Sequence, residues 1–123
     1  MAEIRSYRDL LVWQRAMDLV VHCYEAVTNL PQAERFGLVS QIQRTAVNIP
    51  SNIANGHGIG ITNQYVHHLA LAHGSLMLLE TLFHATERLQ FLAPATVAAI
   101  LQETAEVGRM LNGLMRSLRN QSS

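Results

Sequence analysis

The stretch Asn48-Ile49-Pro50-Ser51-Asn52-Ile53-Ala54-Asn55-Gly56 decides how this chain is read. It sets a proline inside a run whose apolar residues, Leu38, Ile42, Thr45, Ile49 and Ile53, recur at helical spacing. A proline within a helix removes one backbone hydrogen bond and presses on the carbonyl four residues earlier, here that of Ala46. In an exposed helix this costs about 3 kcal/mol. A chain tolerates it where tertiary packing holds the kink, so the segment predicts a proline-kinked helix inside a bundle. It carries no reaction signature.

Working outward, three more helices are predicted. Ser6 and Asp9 have capping-box spacing, which starts helix one near residue 7 and carries it to about 29. Trp13, Met17, Val20, Tyr24 and Val27 form its apolar stripe, and Gln14, Arg15, Asp18, His22, Glu25 and Asn29 its solvated side. Leu30-Pro31 closes the connection, and helix two spans about 32–55, with Gly56, Gly58 and Gly60 ending it. Gln41, Asn48, Asn52 and Asn55 run along one flank as an amide ladder.

Helix three, about 62–91 with Thr62 as its cap, shows two apolar faces. One holds Tyr65, Leu69, Leu76, Leu79 and Phe83; the other, about 130° around, holds Leu71, Leu78, Leu82 and Leu89. A bundle helix needs one stripe of about 100°, so the second face predicts a neighbouring helix or another subunit. Pro94 opens helix four, about 94–119, whose stripe is Val97, Ile100, Leu101, Val107, Leu111, Leu114, Met115 and Leu118; the tail 120–123 is expected to fray. The fold expected is all-α: one antiparallel up-down-up-down four-helix bundle over residues 1–123.

Apolar residues make up 49% of the 123 and charged residues 15%, which is sparse against about 25% in ordinary soluble domains. So little charge favours an oligomer over a compact monomer. Nine arginines balance nine acids, and zero net charge argues against sequence-independent nucleic-acid binding, although a local basic patch stays open. Cys23 is alone and the N-terminus lacks a signal-peptide pattern, which suits a cytoplasmic location. The run from Leu69 to Phe83 contains His73, Ser75, Glu80 and Thr81, so no membrane span and no membrane partner is expected.

Six histidines raise metal binding, with His73, Glu80 and His84 as the candidate set on helix three. Bundled di-iron sites need Glu-x-x-His on two helices, and no second helix supplies one, so no metal and no cofactor is assigned. Glu80 and Glu87 border the apolar face; a satisfied polar layer, with the amide ladder, Ser51 or Arg44 as partners, is preferred to a general acid or base. No nucleophile has a recognisable catalytic partner, and the glycines after Asn55 follow no strand, so no phosphate loop and no enzyme is read. Arg109, Arg116 and Arg119 make the end of helix four basic, which complements the helix dipole or forms a polyanion patch.

Taken together, three stretches carry a family resemblance. They are Leu11-Val12-Trp13-Gln14; Leu30-Pro31 followed by Glu34-Arg35-Phe36-Gly37-Leu38; and Gln41 to Ala54 with Ala72-His73-Gly74-Ser75-Leu76 and Leu79-Glu80. Over roughly Tyr7 to Leu118 the chain resembles the bacterial four-helix-bundle proteins encoded by intervening sequences in 23S ribosomal RNA genes, the S23-type proteins, a group that includes accessory proteins of diversity-generating retroelements. The resemblance implies a ring-like homopentamer and, for the intervening-sequence branch, no settled biochemical activity, so the reading taken is a non-enzymatic scaffold or adaptor. In this chain Arg44, Arg109, Arg116 and Arg119 are the candidate residues for a polyanion surface, and for the retroelement branch the resemblance implies binding to a polymerase and nucleic acid. It also implies structural roles for Pro50 as the kink, Asn52 as a polar bridge, and Gly74, Ser75 and Glu80 as the close-packed counterpart on helix three. The family pattern has Ser at Asn48, Glu at Asn55 and basic residues after Gly56. Those departures weigh against nucleic-acid binding.

Overall fold

The structure, a computed structural model, describes residues 3–121. Four helices, α1 (Leu11–Val27), α2 (Leu38–Ile59), α3 (Thr62–Arg88) and α4 (Pro94–Gln121), are joined by short connections. The capping box at Ser6 forms, with the Ser6 hydroxyl accepting from Arg8 N and the Asp9 carboxylate accepting from Arg5 N and Ser6 N. It closes a separate 3-10 turn, Tyr7–Asp9, because Leu10 is extended (φ −74°, ψ 124°) and breaks the run before α1. Tyr7 then folds back edge-on to Trp13, with ring centroids 5.2 Å apart.

Helix two also starts late. Gln32–Glu34 is a 3-10 turn, and Gly37 at φ −105°, ψ −108° separates it from α2. At its other end α2 continues through Gly56 and Gly58 and stops at Gly60, whose φ of 73° is the left-handed cap glycine favours. Ile61, not Thr62, is the N-cap of α3. This helix ends three residues earlier than the periodicity predicts, in a Schellman closure: Phe91 N donates to Thr86 O and Gln90 N to Glu87 O, both at 2.9 Å. Gln90 holds the left-handed position at φ 62°. In α4, Asn120 and Gln121 are helical rather than frayed, and Ser122 and Ser123 lie outside the described residues.

Each helix packs on its chain neighbours and α4 returns to α1, while among the described residues the backbones of the diagonal pairs, α1 with α3 and α2 with α4, stay apart. The helices thus occupy the corners of an up-down-up-down square. Phe83, Leu19, Ile42, Ile49, Ile53, Leu69, Leu76, Leu79 and Leu111 are fully enclosed. Each contributes about 1.5–3 kcal/mol by leaving water.

Two faces differ from the sequence reading. Helix α1 turns Val12, Ala16, Leu19, Cys23, Ala26 and Val27 to the core; of the predicted stripe Val27 is buried, Trp13 and Val20 pack half-buried against the core, and Met17 and Tyr24 are exposed. The core face and the predicted stripe run one position, about 100°, apart around the helix, and Val27 alone of the stripe is buried. On α3, Leu71, Leu78 and Leu89 are exposed, but Leu82 is 7% accessible and belongs to the core. It lies about 40° from Leu78 around the helix, on the side that turns inward. It is therefore not available as an interface residue.

Candidate interaction surfaces

The proline segment builds a polar joint between α2 and α3. Pro50 is buried within the helix, and just beyond it side chains donate back along α2: Ser51 Oγ to Val47 O at 2.8 Å, and Asn52 Nδ2 to Asn48 O at 3.0 Å. Asn52, 8% accessible, also donates to Asn48 Oδ1 at 3.2 Å. Asn48 Nδ2 in turn donates to Ser75 Oγ at 3.0 Å, and His68 Nδ1 lies 3.1 Å from Asn52 Oδ1. An amide oxygen only accepts, so His68 carries its proton on Nδ1 in this chain of bonds. Asn52 thus reaches α3 through His68, while Ser75 is reached from Asn48 and not from Asn52.

Gly74 and Glu80 are not part of that joint. A Cβ on Gly74 would meet nothing within 4 Å, so no neighbour packs closely there. The close approach is at Gly56, where a Cβ would stand 2.9 Å from Tyr65 Cδ1 and 3.1 Å from Tyr65 O. Glu80 faces α4 instead of the amide ladder: Thr104 Oγ1 donates to its Oε2 at 2.6 Å. Among the described residues, no three His, Cys, Asp or Glu side chains are placed to hold a metal, and His73, Glu80 and His84 form no such group.

The α1–α4 seam is charged. Arg15 pairs with Glu106 at 2.5 Å and His22 with Glu103 at 2.6 Å, so part of the predicted solvated side of helix one serves as a clasp. The Glu103 hydrogen bond raises the His22 pKa against a smaller opposing effect of burial. An open cavity of about 570 Å³, with Ala26, Ala99 and Ile100 among its walls, lies beside that pair.

Formal charge is unevenly spread along the bundle axis, with a modest basic excess at one end and a modest acidic excess at the other. Antiparallel packing places the end of α4, with Arg109, Arg116 and Arg119, beside the start of the chain with Arg5 and Arg8. Glu25, Glu34, Glu87 and Glu103 lie toward the opposite end, where Arg35 and Arg88 offset part of their charge. Arg44 lies in that acidic half on α2, diagonal to α4, where it lines a cavity with Tyr24, Gln43 and Val47. One protomer therefore does not bring the four candidate arginines together.

Two surfaces carry almost no charge. On the outer face of α3, Leu71, Met77 and Leu78 are exposed around Gly74, and no charged residue occurs from Thr62 to Leu79. Between α1 and α2 runs a groove of about 430 Å³ whose walls include Trp13, Met17, Val20, Val47, Pro50 and Ala54. The sequence reading missed this groove because it assigned Trp13, Met17 and Val20 to the core. It also passed over Phe36, 87% exposed at the α1–α2 connection beneath the Arg35 guanidinium. Pro31 and Gly37 bounding a five-residue connection are the signal that could have placed Phe36 at a loop tip.

Buried polar groups here join helices and open apolar surfaces face outward, which defines a four-helix bundle built around its contacts. The sequence profile of the 23S rRNA-intervening sequence protein family matches residues 8–113, and the chain belongs to that family. Its fold is similar to the crystal structure of a protein with unknown function from the S23 ribosomal protein family of Bacteroides thetaiotaomicron VPI-5482. The TM-score is 0.77 at 17% identity, over 85% of this chain and 98% of that one. No curated protein matches the chain. No helix among the described residues is long and apolar enough to cross a membrane.

Proposed function

We propose that this chain is a non-enzymatic, cytoplasmic, homo-oligomeric scaffold or adaptor, with the pentamer implied by the family resemblance as its state. The observation that carries the reading is the exposed outer face of α3. Leu71 and Leu78, 44% and 43% accessible, flank Gly74 on a stretch without charge. Solvent-facing helix surfaces in bundles are ordinarily polar, and a second subunit accounts for this one. Native mass of the untagged protein tests it. A mass near five chains is expected, and Leu78→Glu should reduce it to that of one chain with helix content unchanged. A wild-type monomer would sink the reading. Leu82→Glu is no substitute, since it would place a charge in the protomer core.

A second reading, a nucleic-acid- or polymerase-associated accessory protein, is favoured by the modest basic excess at one end. Its polyanion surface would be Arg109, Arg116 and Arg119 with Arg5 and Arg8, and would exclude Arg44. Affinity for RNA that falls steeply with salt supports it; absence of binding at low salt ends it.

A further inference from the structure

We infer that copies of this chain join head to tail, the outer face of α3 on one copy seated in the α1–α2 groove of the next. This rests on the homo-oligomer proposed above and names the other half of its interface. Four features of the chain argue for a second copy as the occupant.

First, the two surfaces lie apart. The α3 face is on a helix whose backbone stays apart from that of α1, diagonally across the square. A two-fold pairing of α3 with α3 would bury the first surface and leave the groove open. Joining the unlike surfaces covers both with one repeated junction. Such a junction is heterologous and closes into a ring or runs on as a filament.

Second, the shapes are opposite. The α3 face is a ridge formed by Leu71, Met77 and Leu78, and the groove is a hollow with aromatic and apolar walls. Third, they agree in length and charge. Leu71 to Leu78 along the ridge spans about 11 Å, and Val47 to Asn55 along the α2 wall of the groove about 12 Å. The groove walls at Trp13, Met17, Val20, Val47, Pro50 and Ala54 carry no charge, as the ridge carries none.

Fourth, Gly74 has no use inside the protomer. Glycine weakens a helix interior relative to alanine, and here nothing within 4 Å of the added Cβ calls for its absence. A close approach from outside does. Placed mid-ridge, Gly74 opens a notch between Leu71 and Met77–Leu78 that admits a side chain from the groove rim of the next copy.

The test uses two surface variants, each spoiling one half of the junction. Gly74→Glu damages the ridge and leaves the groove sound; Val47→Glu damages the groove and leaves the ridge sound. Both positions are exposed, and unchanged far-ultraviolet circular dichroism will verify that each variant folds. Each alone is expected to have the mass of one chain. Mixed in equal amounts they are expected to form a dimer and nothing larger, because the pair owns one sound ridge facing one sound groove. Val47→Glu that assembles like wild type, or a mixture that stays monomeric, overturns head-to-tail joining. If Gly74→Glu alone loses assembly, the homo-oligomer stands and only this pairing falls. If wild type is itself monomeric, both fail. In the same assay Gly74→Ala, which adds one methyl group, should weaken association about tenfold; unaltered assembly would remove the close approach at Gly74.

Discussion

At the scale of single residues, Asn52 links the proline segment to the fold. Its side chain is buried, yet both ends are used, the nitrogen on Asn48 and the oxygen on His68. Leucine has similar volume but would strand the His68 donor and leave the Asn48 amide oxygen short of its partner. An unsatisfied buried polar group costs about 1–3 kcal/mol. Here His68 is half-buried and Asn48 exposed, so water takes up part of that cost. Asn52→Leu should then lower the unfolding free energy by about 1 kcal/mol in urea titration. A neutral result would mean water serves these groups as well as Asn52 does. The same bonding order predicts the Nδ1–H tautomer for neutral His68, readable from its imidazole nitrogen shifts. The Nε2–H form would require the Asn52 amide to be turned around, with its oxygen facing the two oxygens of Asn48.

At the scale of elements, period and breakers located all four helices, and the stripes of α2, α4 and the inner face of α3 were legible from their apolar spacing. What periodicity could not supply was which of two neighbouring stripes a helix buries. On α1 the sequence reading followed side-chain bulk and chose Trp13, Met17 and Tyr24. Packing chose Val12, Ala16, Leu19, Cys23 and Ala26, one position around, and kept only Val27 of the predicted stripe. Close approach was illegible for a similar reason. Gly56 and Gly74 look equivalent in sequence, and only the helix opposite distinguishes them. Cross-helix pairing was hidden as well: His22 and Glu103 are far apart in sequence and meet only in the antiparallel seam. That pair raises the His22 pKa in the folded chain, so its stabilisation is complete below the ordinary histidine value and is lost as pH rises through the folded one. Both side chains are substantially exposed, which limits the effect to about 1 kcal/mol or less. Thermal unfolding between about pH 6 and about pH 8.5 should show that loss, and Glu103→Gln should abolish it. A Glu103→Gln variant with the wild-type pH dependence would assign the effect to another group.

At the scale of the whole molecule, zero net charge conceals an arrangement that topology creates. Arg5 and Arg8 open the chain and Arg116 and Arg119 close it, and an even number of antiparallel helices returns them to one end. A closed ring built by a single rotation points every copy the same way, so these basic ends would share one rim and the acidic ends the other. Repetition then turns a modest local excess into a field that a phosphate backbone can sense. Position along the bundle, rather than arginine count, becomes the test. RNA affinity should fall with salt, and Arg109→Glu with Arg116→Glu should weaken it and flatten the log–log salt slope by about 1 for each phosphate contact removed. Arg44→Glu, on the acidic half, should leave both affinity and slope unchanged. Equal losses from Arg44 and from the α4 pair would place the polyanion along the side of the bundle, against end-on binding. Should the double variant bind as wild type does, the basic rim would be left with dipole complementation and no nucleic-acid role.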